Sequence, residues 1–159
     1  MIVKNIKYED IVNYKETSMF IATSRCTFKC DVLNGCKVCQ NAELAKAPDI
    51  EVDIDKVIQR YLSNNLTHAV VFGGLESFDT FDDMYQFIKK LRKDYNCNDD
   101  VVIYTGYDIY EVEEEIMQLM TWPNIIVKFG RYIMNRPSRY DDVLGVTLAS
   151  DNQYAERIS

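Results

Sequence analysis

The sequence predicts an α/β fold with parallel strands, and three observations carry that prediction. Apolar, β-branched runs at Met19–Ala22, Thr67–Phe72, Val101–Tyr104 and Ile125–Val127 read as buried strands. Amphipathic helical patterns lie between them, so strand and helix alternate as right-handed crossovers require. Each strand also ends in small or polar residues: Thr23-Ser24, Gly73-Gly74, Thr105-Gly106 and Gly130. Ligands of parallel sheets bind outside such carboxyl ends, so one edge of the sheet is expected to carry the site.

The elements follow in order. Ile2–Lys7 has the pattern of a short first strand, and Met19–Ala22 is a strand that delivers a cysteine-rich loop. Ile54, Val57, Ile58, Tyr61 and Leu62 form one helical stripe, with Asp53 as its N-cap. A second stripe is Phe81, Met84, Ile88, Leu91 and Tyr95, and Thr80 with Asp83 has the spacing of a capping box. Asp108 and Glu111 cap a third helix, striped by Ile109, Val112, Ile116, Leu119 and Met120. Pro123-Asn124 breaks the chain before Ile125–Val127, and Val143–Leu148 reads as a last strand interrupted by Gly145.

Composition narrows the class. A chain of 159 residues is expected to form one domain spanning 1–159. Its 47% apolar and 27% charged content is that of a globular protein. No run of apolar residues reaches the length of a membrane span. The first residues mix charges into every turn, unlike a signal peptide, so the cytoplasm is the expected location and no membrane association is expected. A net charge of −7 argues against nucleic-acid binding, which needs a basic footprint. Arg131, Arg136 and Arg139 form the one basic cluster, either a surface loop or a contact for an acidic segment or phosphate. The single histidine, His68, excludes a His-rich metal site and reads as a structural residue opening a buried strand.

Four of the five cysteines crowd into Arg25–Asn41: Cys26, Cys30, Cys36 and Cys39. In a reducing compartment such crowding reads as metal ligation before disulfides. Two metal readings compete. A four-thiolate zinc site favours cysteine pairs at close spacing, yet the linker between these pairs is short and the domain is large enough to fold without a staple. An iron–sulfur cluster held by three thiolates would leave one iron open for chemistry. Cys97 stands apart as an incidental loop thiol.

The loop resembles the cluster loop of the radical S-adenosylmethionine superfamily, C-x3-C-x2-C with an apolar residue before the last cysteine. Cys26-Thr27-Phe28-Lys29-Cys30 matches the first half, and Val38-Cys39-Gln40-Asn41 matches the ending. Eight residues, and not two, lie between Cys30 and Cys39. The resemblance implies Cys26, Cys30 and Cys39 as ligands, with Cys36, inside the insertion, as the alternative. Gly73-Gly74-Leu75-Glu76-Ser77 resembles the family's glycine-rich motif, which holds the amino group of S-adenosylmethionine, with Leu75 added and Ser77 in place of proline. The short members that activate anaerobic ribonucleotide reductase are most similar. Tyr104-Thr105-Gly106-Tyr107, Gly130-Arg131 and Ser150-Asp151-Asn152-Gln153 match their marks in the same order.

The resemblance implies a truncated (βα) radical-SAM partial barrel with parallel strands and an open side. Its cofactors would be a 4Fe–4S cluster and S-adenosylmethionine, with Val38, Gly73, Gly74, Glu76, Thr105, Gly106, Lys128 and Asn152 around the latter. Its activity would be reductive cleavage to a 5′-deoxyadenosyl radical that takes hydrogen from a glycine of a partner. That partner would be a glycyl-radical enzyme, the anaerobic ribonucleotide reductase large subunit, and the electron donor reduced flavodoxin or ferredoxin. Two alternatives stand beside it: a radical enzyme acting on a small molecule or peptide, and a zinc-stapled binding module without catalysis.

Overall fold

The computed structural model of the protein describes residues 1–159. Its centre is a sheet of seven strands: β1 (Ile2–Asp10), β2 (Ser18–Thr23), β3 (Ile50–Glu51), β4 (Ala69–Gly73), β5 (Asp100–Tyr104), β6 (Ile125–Phe129) and, after a separate hairpin of β7 (Arg139–Asp141) and β8 (Val146–Leu148), β9 (Tyr154–Arg157). The spatial order is β3-β1-β2-β4-β5-β6-β9. β2, β4, β5 and β6 pair in parallel, whereas β1 and β3 on one side and β9 on the other pair antiparallel. The parallel expectation therefore holds for the central strands alone. Parallel neighbours need a crossover of a dozen residues or more, and the short link from β1 to β2 permits only an antiparallel turn. The sheet ends at β3 and β9 and does not close into a barrel.

Three helices make the crossovers: α3 (Ile54–Leu62), α4 (Phe81–Lys93) and α5 (Glu113–Leu119). Their apolar stripes, among them Ile58, Tyr61, Phe87, Ile88, Leu91 and Leu119, pack on one sheet face against Met19, Ile21, Val70, Phe72, Ile103 and Val127. The alternate residues Val71, Val102 and Ile126 point to the other face. There they meet Tyr14, Leu144 and Leu148 and not a second layer of helices. That asymmetry leaves room for a cavity on the second face, at the carboxyl ends of the strands.

Several local readings need correction. Asp53 caps α3 as expected, accepting from the amides of Asp55 and Lys56. Thr80 makes no side-chain cap on α4: its hydroxyl donates to the Ser77 carbonyl at 3.2 Å, and Asp83 accepts from the Ile2 amide at 2.9 Å. The Asp108–Glu111 capping box exists, but it caps a short 3₁₀ turn, Ile109–Glu111, ahead of α5. Val143–Leu148 does not join the main sheet. Its second half is β8, paired with β7, and Asp141 accepts from the amides of Val143, Leu144 and Ala155 to hold that hairpin against β9. His68 is exposed, so it is not a buried structural residue. No helix is long and apolar enough to cross a membrane.

Candidate functional site

The loop after β2 is built by short polar ties. Phe28 takes a left-handed backbone (φ 53°), and its amide donates to the Cys26 sulfur at 3.3 Å. That bend starts α1 (Lys29–Asn34), which carries Cys30 in its first turn. Gly35 ends the helix at φ 65°, a conformation suited to glycine. The chain then turns back. One carboxylate oxygen of Asp31 accepts from the amides of Val38 at 2.8 Å and Cys39 at 2.9 Å. The Asn34 amide donates to the carbonyls of Cys30 and Tyr132 and accepts from the Met134 amide. Asp79 accepts from the Thr27 amide at 2.8 Å and the Tyr107 hydroxyl at 2.7 Å. A second short helix, α2 (Ala42–Lys46), returns the chain to the sheet.

Sequence reasoning missed Asp31, Asn34 and Asp79. The usable signal was the habit of Asp and Asn of bonding nearby backbone amides in turns, which does not say which amides a given side chain will reach.

A cavity of about 550 Å³ opens at the carboxyl edge of the parallel strands. Cys26, Cys30, Val38 and Cys39 line one wall, and Gly74, Glu76, Thr105, Gly106, Lys128, Gly130 and Gln153 line the strand ends. Phe20, Tyr104, Val146 and Leu148 add apolar lining. Cys36 is exposed and takes no part in the lining. A methyl group placed on Gly106 would lie 3.4 Å from a Glu76 oxygen, 3.5 Å from Arg131 Cγ and 3.6 Å from the Cys30 sulfur. Those distances measure how tightly acid, cation and thiol gather around one glycine.

The polar centre is an acid and an amine. Glu76 is buried and accepts from the Thr105 hydroxyl (2.6 Å), the Gly106 amide (2.8 Å) and the Phe78 amide (3.2 Å). Burial raises its carboxyl above the usual range, and these bonds partly offset the rise. Lys128, also buried, donates to the Gly130 carbonyl at 2.9 Å and more weakly to the Thr105 carbonyl at 3.5 Å. Burial lowers its ammonium to about 8, against the opposing pull of Cys30 and Glu76. Among the thiols, burial lifts Cys26 to about 11, eased by the Phe28 amide, and lifts Cys39, eased by the Asn41 amide. Thiols so placed bind metal by releasing a proton.

A family model described as "4Fe-4S single cluster domain" matches residues 15–153. The chain belongs to that family. Searches of curated proteins and of solved structures returned no match. The donor set of this 4Fe-4S single cluster domain fits the group its family implies: three thiols share one cavity wall with open space in front of them. No three His, Cys, Asp or Glu side chains converge closely enough for a single metal ion.

Of the residues expected around a second ligand of this 4Fe-4S domain, Val38, Gly74, Glu76, Thr105, Gly106 and Lys128 line the cavity. Gly73 does not. It ends β4 packed against Phe20 and Tyr104, where a Cβ would lie 3.2 Å from Tyr104 Cβ. Asn152 also stays off the lining, donating to the Arg131 carbonyl at 2.8 Å. The expected basic cluster is largely neutralised. Arg131 forms a two-pronged pair with Glu111 at 2.7 Å on each prong, and Arg136 pairs with Asp151 at 2.6 Å. Arg131 and Lys29 also lie near the Tyr107 ring, Lys29 at 4.2 Å from its centre.

Proposed function

We propose that the protein is a radical S-adenosylmethionine activase in which Cys26, Cys30 and Cys39 hold the 4Fe–4S cluster. The partner acted on is a glycyl-radical enzyme, the anaerobic ribonucleotide reductase, and the electron comes from reduced flavodoxin or ferredoxin. One observation carries the reading: three of the four loop thiols face a cavity that also holds a buried acid and a buried amine at the strand ends. When bound and reduced, a cluster held by Cys26, Cys30 and Cys39 would supply the one electron needed to convert S-adenosylmethionine to methionine and a 5′-deoxyadenosyl radical. In this reading the four parallel strands and their helices form a truncated (βα) barrel, whose open side the partner covers.

The chain's own residues bind and orient. The amino-acid end of S-adenosylmethionine is a zwitterion, and the cavity offers one group for each of its charges. Glu76 keeps a lone pair on the oxygen that accepts from Gly106, so it can take an ammonium hydrogen. Lys128 spends two donors on carbonyls and keeps a third for a carboxylate. Gly74 and Gly106 let backbone approach the ligand where a side chain would intrude. The aromatic lining of Phe20 and Tyr104 suits a flat, less polar adenosyl group.

The test is anaerobic reconstitution with iron and sulfide, reduction, and assay for 5′-deoxyadenosine. Addition of a candidate reductase should then give the spin-resonance signal of a glycyl radical. Cleavage without any radical on such partners would move the reading to a small-molecule substrate.

A further inference from the structure

We infer that Asp31 is the positioning residue that brings Cys39 to the cavity across the enlarged spacing between the second and third thiols. The inference rests on reading Cys26, Cys30 and Cys39 as the cluster ligands. Nine residues of extended chain span roughly 30 Å, so a spacing this long places Cys39 nowhere in particular unless the chain is folded back. α1 consumes the first part of the span, and Gly35, whose amide bonds the Val32 carbonyl at 3.2 Å, reverses the direction. From Cys36 to Cys39 no amide donates to a backbone carbonyl. The two bonds to the Asp31 oxygen are what hold the return.

Packing offers no substitute. Neither α1 nor α2 contributes a buried residue, and Val32, Leu33, Gly35, Cys36 and Lys37 are exposed. Ordering a loop costs conformational entropy that so little apolar burial cannot offset, and a carboxylate accepting two amides is a strong closure. The arrangement also explains the fourth thiol. With the return tied at Val38 and Cys39, Cys36 sits on the outside of the turn, facing solvent. Because both amides meet the same oxygen, the device needs an acceptor and not a charge. The Asp31 charge nonetheless acts on the Cys39 thiol.

Asp31→Ala and Asp31→Asn separate the roles. In the full chain, Asp31→Ala should lose the cluster to a chelator about tenfold faster or more, as expected when charge-assisted bonds are removed. Asp31→Asn should keep the parent's iron and sulfide content and shift the cluster's midpoint potential upward, because a negative charge beside it is gone. In the cluster-free chain, amide hydrogen exchange at Val38 and Cys39 should be slow in the parent and in Asp31→Asn, and fast in Asp31→Ala. Equal cluster retention by Asp31→Ala and the parent would overturn the inference. Should Asp31→Ala fail to fold, freely exchanging Val38 and Cys39 amides in the parent would overturn it equally. Cys39→Ala run in parallel marks the other failure: if that variant keeps its cluster, the ligand reading is at fault.

Discussion

The hydroxyl of Thr105 donates to the buried carboxylate of Glu76 across 2.6 Å, joining the ends of two neighbouring parallel strands. Thr105→Val keeps the shape and removes the donor. The loss should be about 1–3 kcal/mol of stability, the cost of leaving a buried acceptor short of a partner. Glu76→Gln should fare no better. Whichever way its amide turns, the NH₂ opposes the amide of Gly106 or that of Phe78. Urea denaturation of the cluster-free chain measures both, and an unchanged midpoint in either would show that the strand ends are held by something else.

Two glycines at the same edge should respond differently to alanine. Gly74 has φ 81°, and a Cβ there would lie 2.8 Å from Leu44 Cδ2, so Gly74→Ala should cost about 1–2 kcal/mol from the backbone alone and push the Leu44 side chain aside. Gly106 has no positive φ, and its Cβ would meet Glu76, Arg131 and Cys30 at ordinary contact distances. Gly106→Ala should therefore fold with parent stability yet bind S-adenosylmethionine more weakly, because the methyl enters the cavity. Denaturation and calorimetric titration together check this pair.

Much of the architecture could be read from the chain. The parallel strands announced themselves because each is buried on both faces and so is continuously apolar, and the strand-end residues Gly74, Thr105, Gly106 and Gly130 do meet at one cavity. The antiparallel edges were harder. β9 alternates Tyr154, Ala155, Glu156 and Arg157 without a strong apolar face, because an edge strand leaves much of itself to solvent. The Asp31, Asn34 and Asp79 ties were illegible for another reason: a side chain bonding an amide several residues away leaves no periodic trace. The pairing of Arg131, read from the sequence only as part of a basic cluster, was hidden because its partner, Glu111, lies twenty residues away along the chain.

Cysteine substitutions should divide cluster binding from folding. Cys39→Ala and Cys26→Ala should lose the cluster, while Cys36→Ala keeps it, since Cys36 faces solvent. All three should retain the parent's far-ultraviolet dichroism and cooperative unfolding, because α1 and α2 give no buried residue to the core. A zinc staple predicts the opposite, with loss of metal and loss of fold arriving together.

Acid should weaken one tie beside the loop. Arg131 holds the Glu111 carboxyl down to about 2 from its ordinary 4.5. A carboxyl depressed by folding contributes stability fully above its unfolded value and loses it as pH falls toward the folded one. Glu111→Gln should thus cost about 1 kcal/mol at neutral pH, the scale of a solvent-reached ion pair. The gap between parent and variant should narrow as pH falls below about 4.5. Chemical denaturation at stepped pH tests this, and a gap that widens toward acid would assign the Arg131 contact another role.

This 4Fe-4S single cluster domain is proposed to put its cluster to work on S-adenosylmethionine. The most direct test is metal analysis of anaerobically prepared protein followed by reduction with S-adenosylmethionine present. The account predicts a brown protein with about four irons and four sulfides per chain, the stoichiometry of a single 4Fe–4S cluster, that forms 5′-deoxyadenosine and loses that activity in Cys39→Ala. A colourless protein carrying one zinc, or a full cluster that leaves S-adenosylmethionine intact under every reductant, would contradict it.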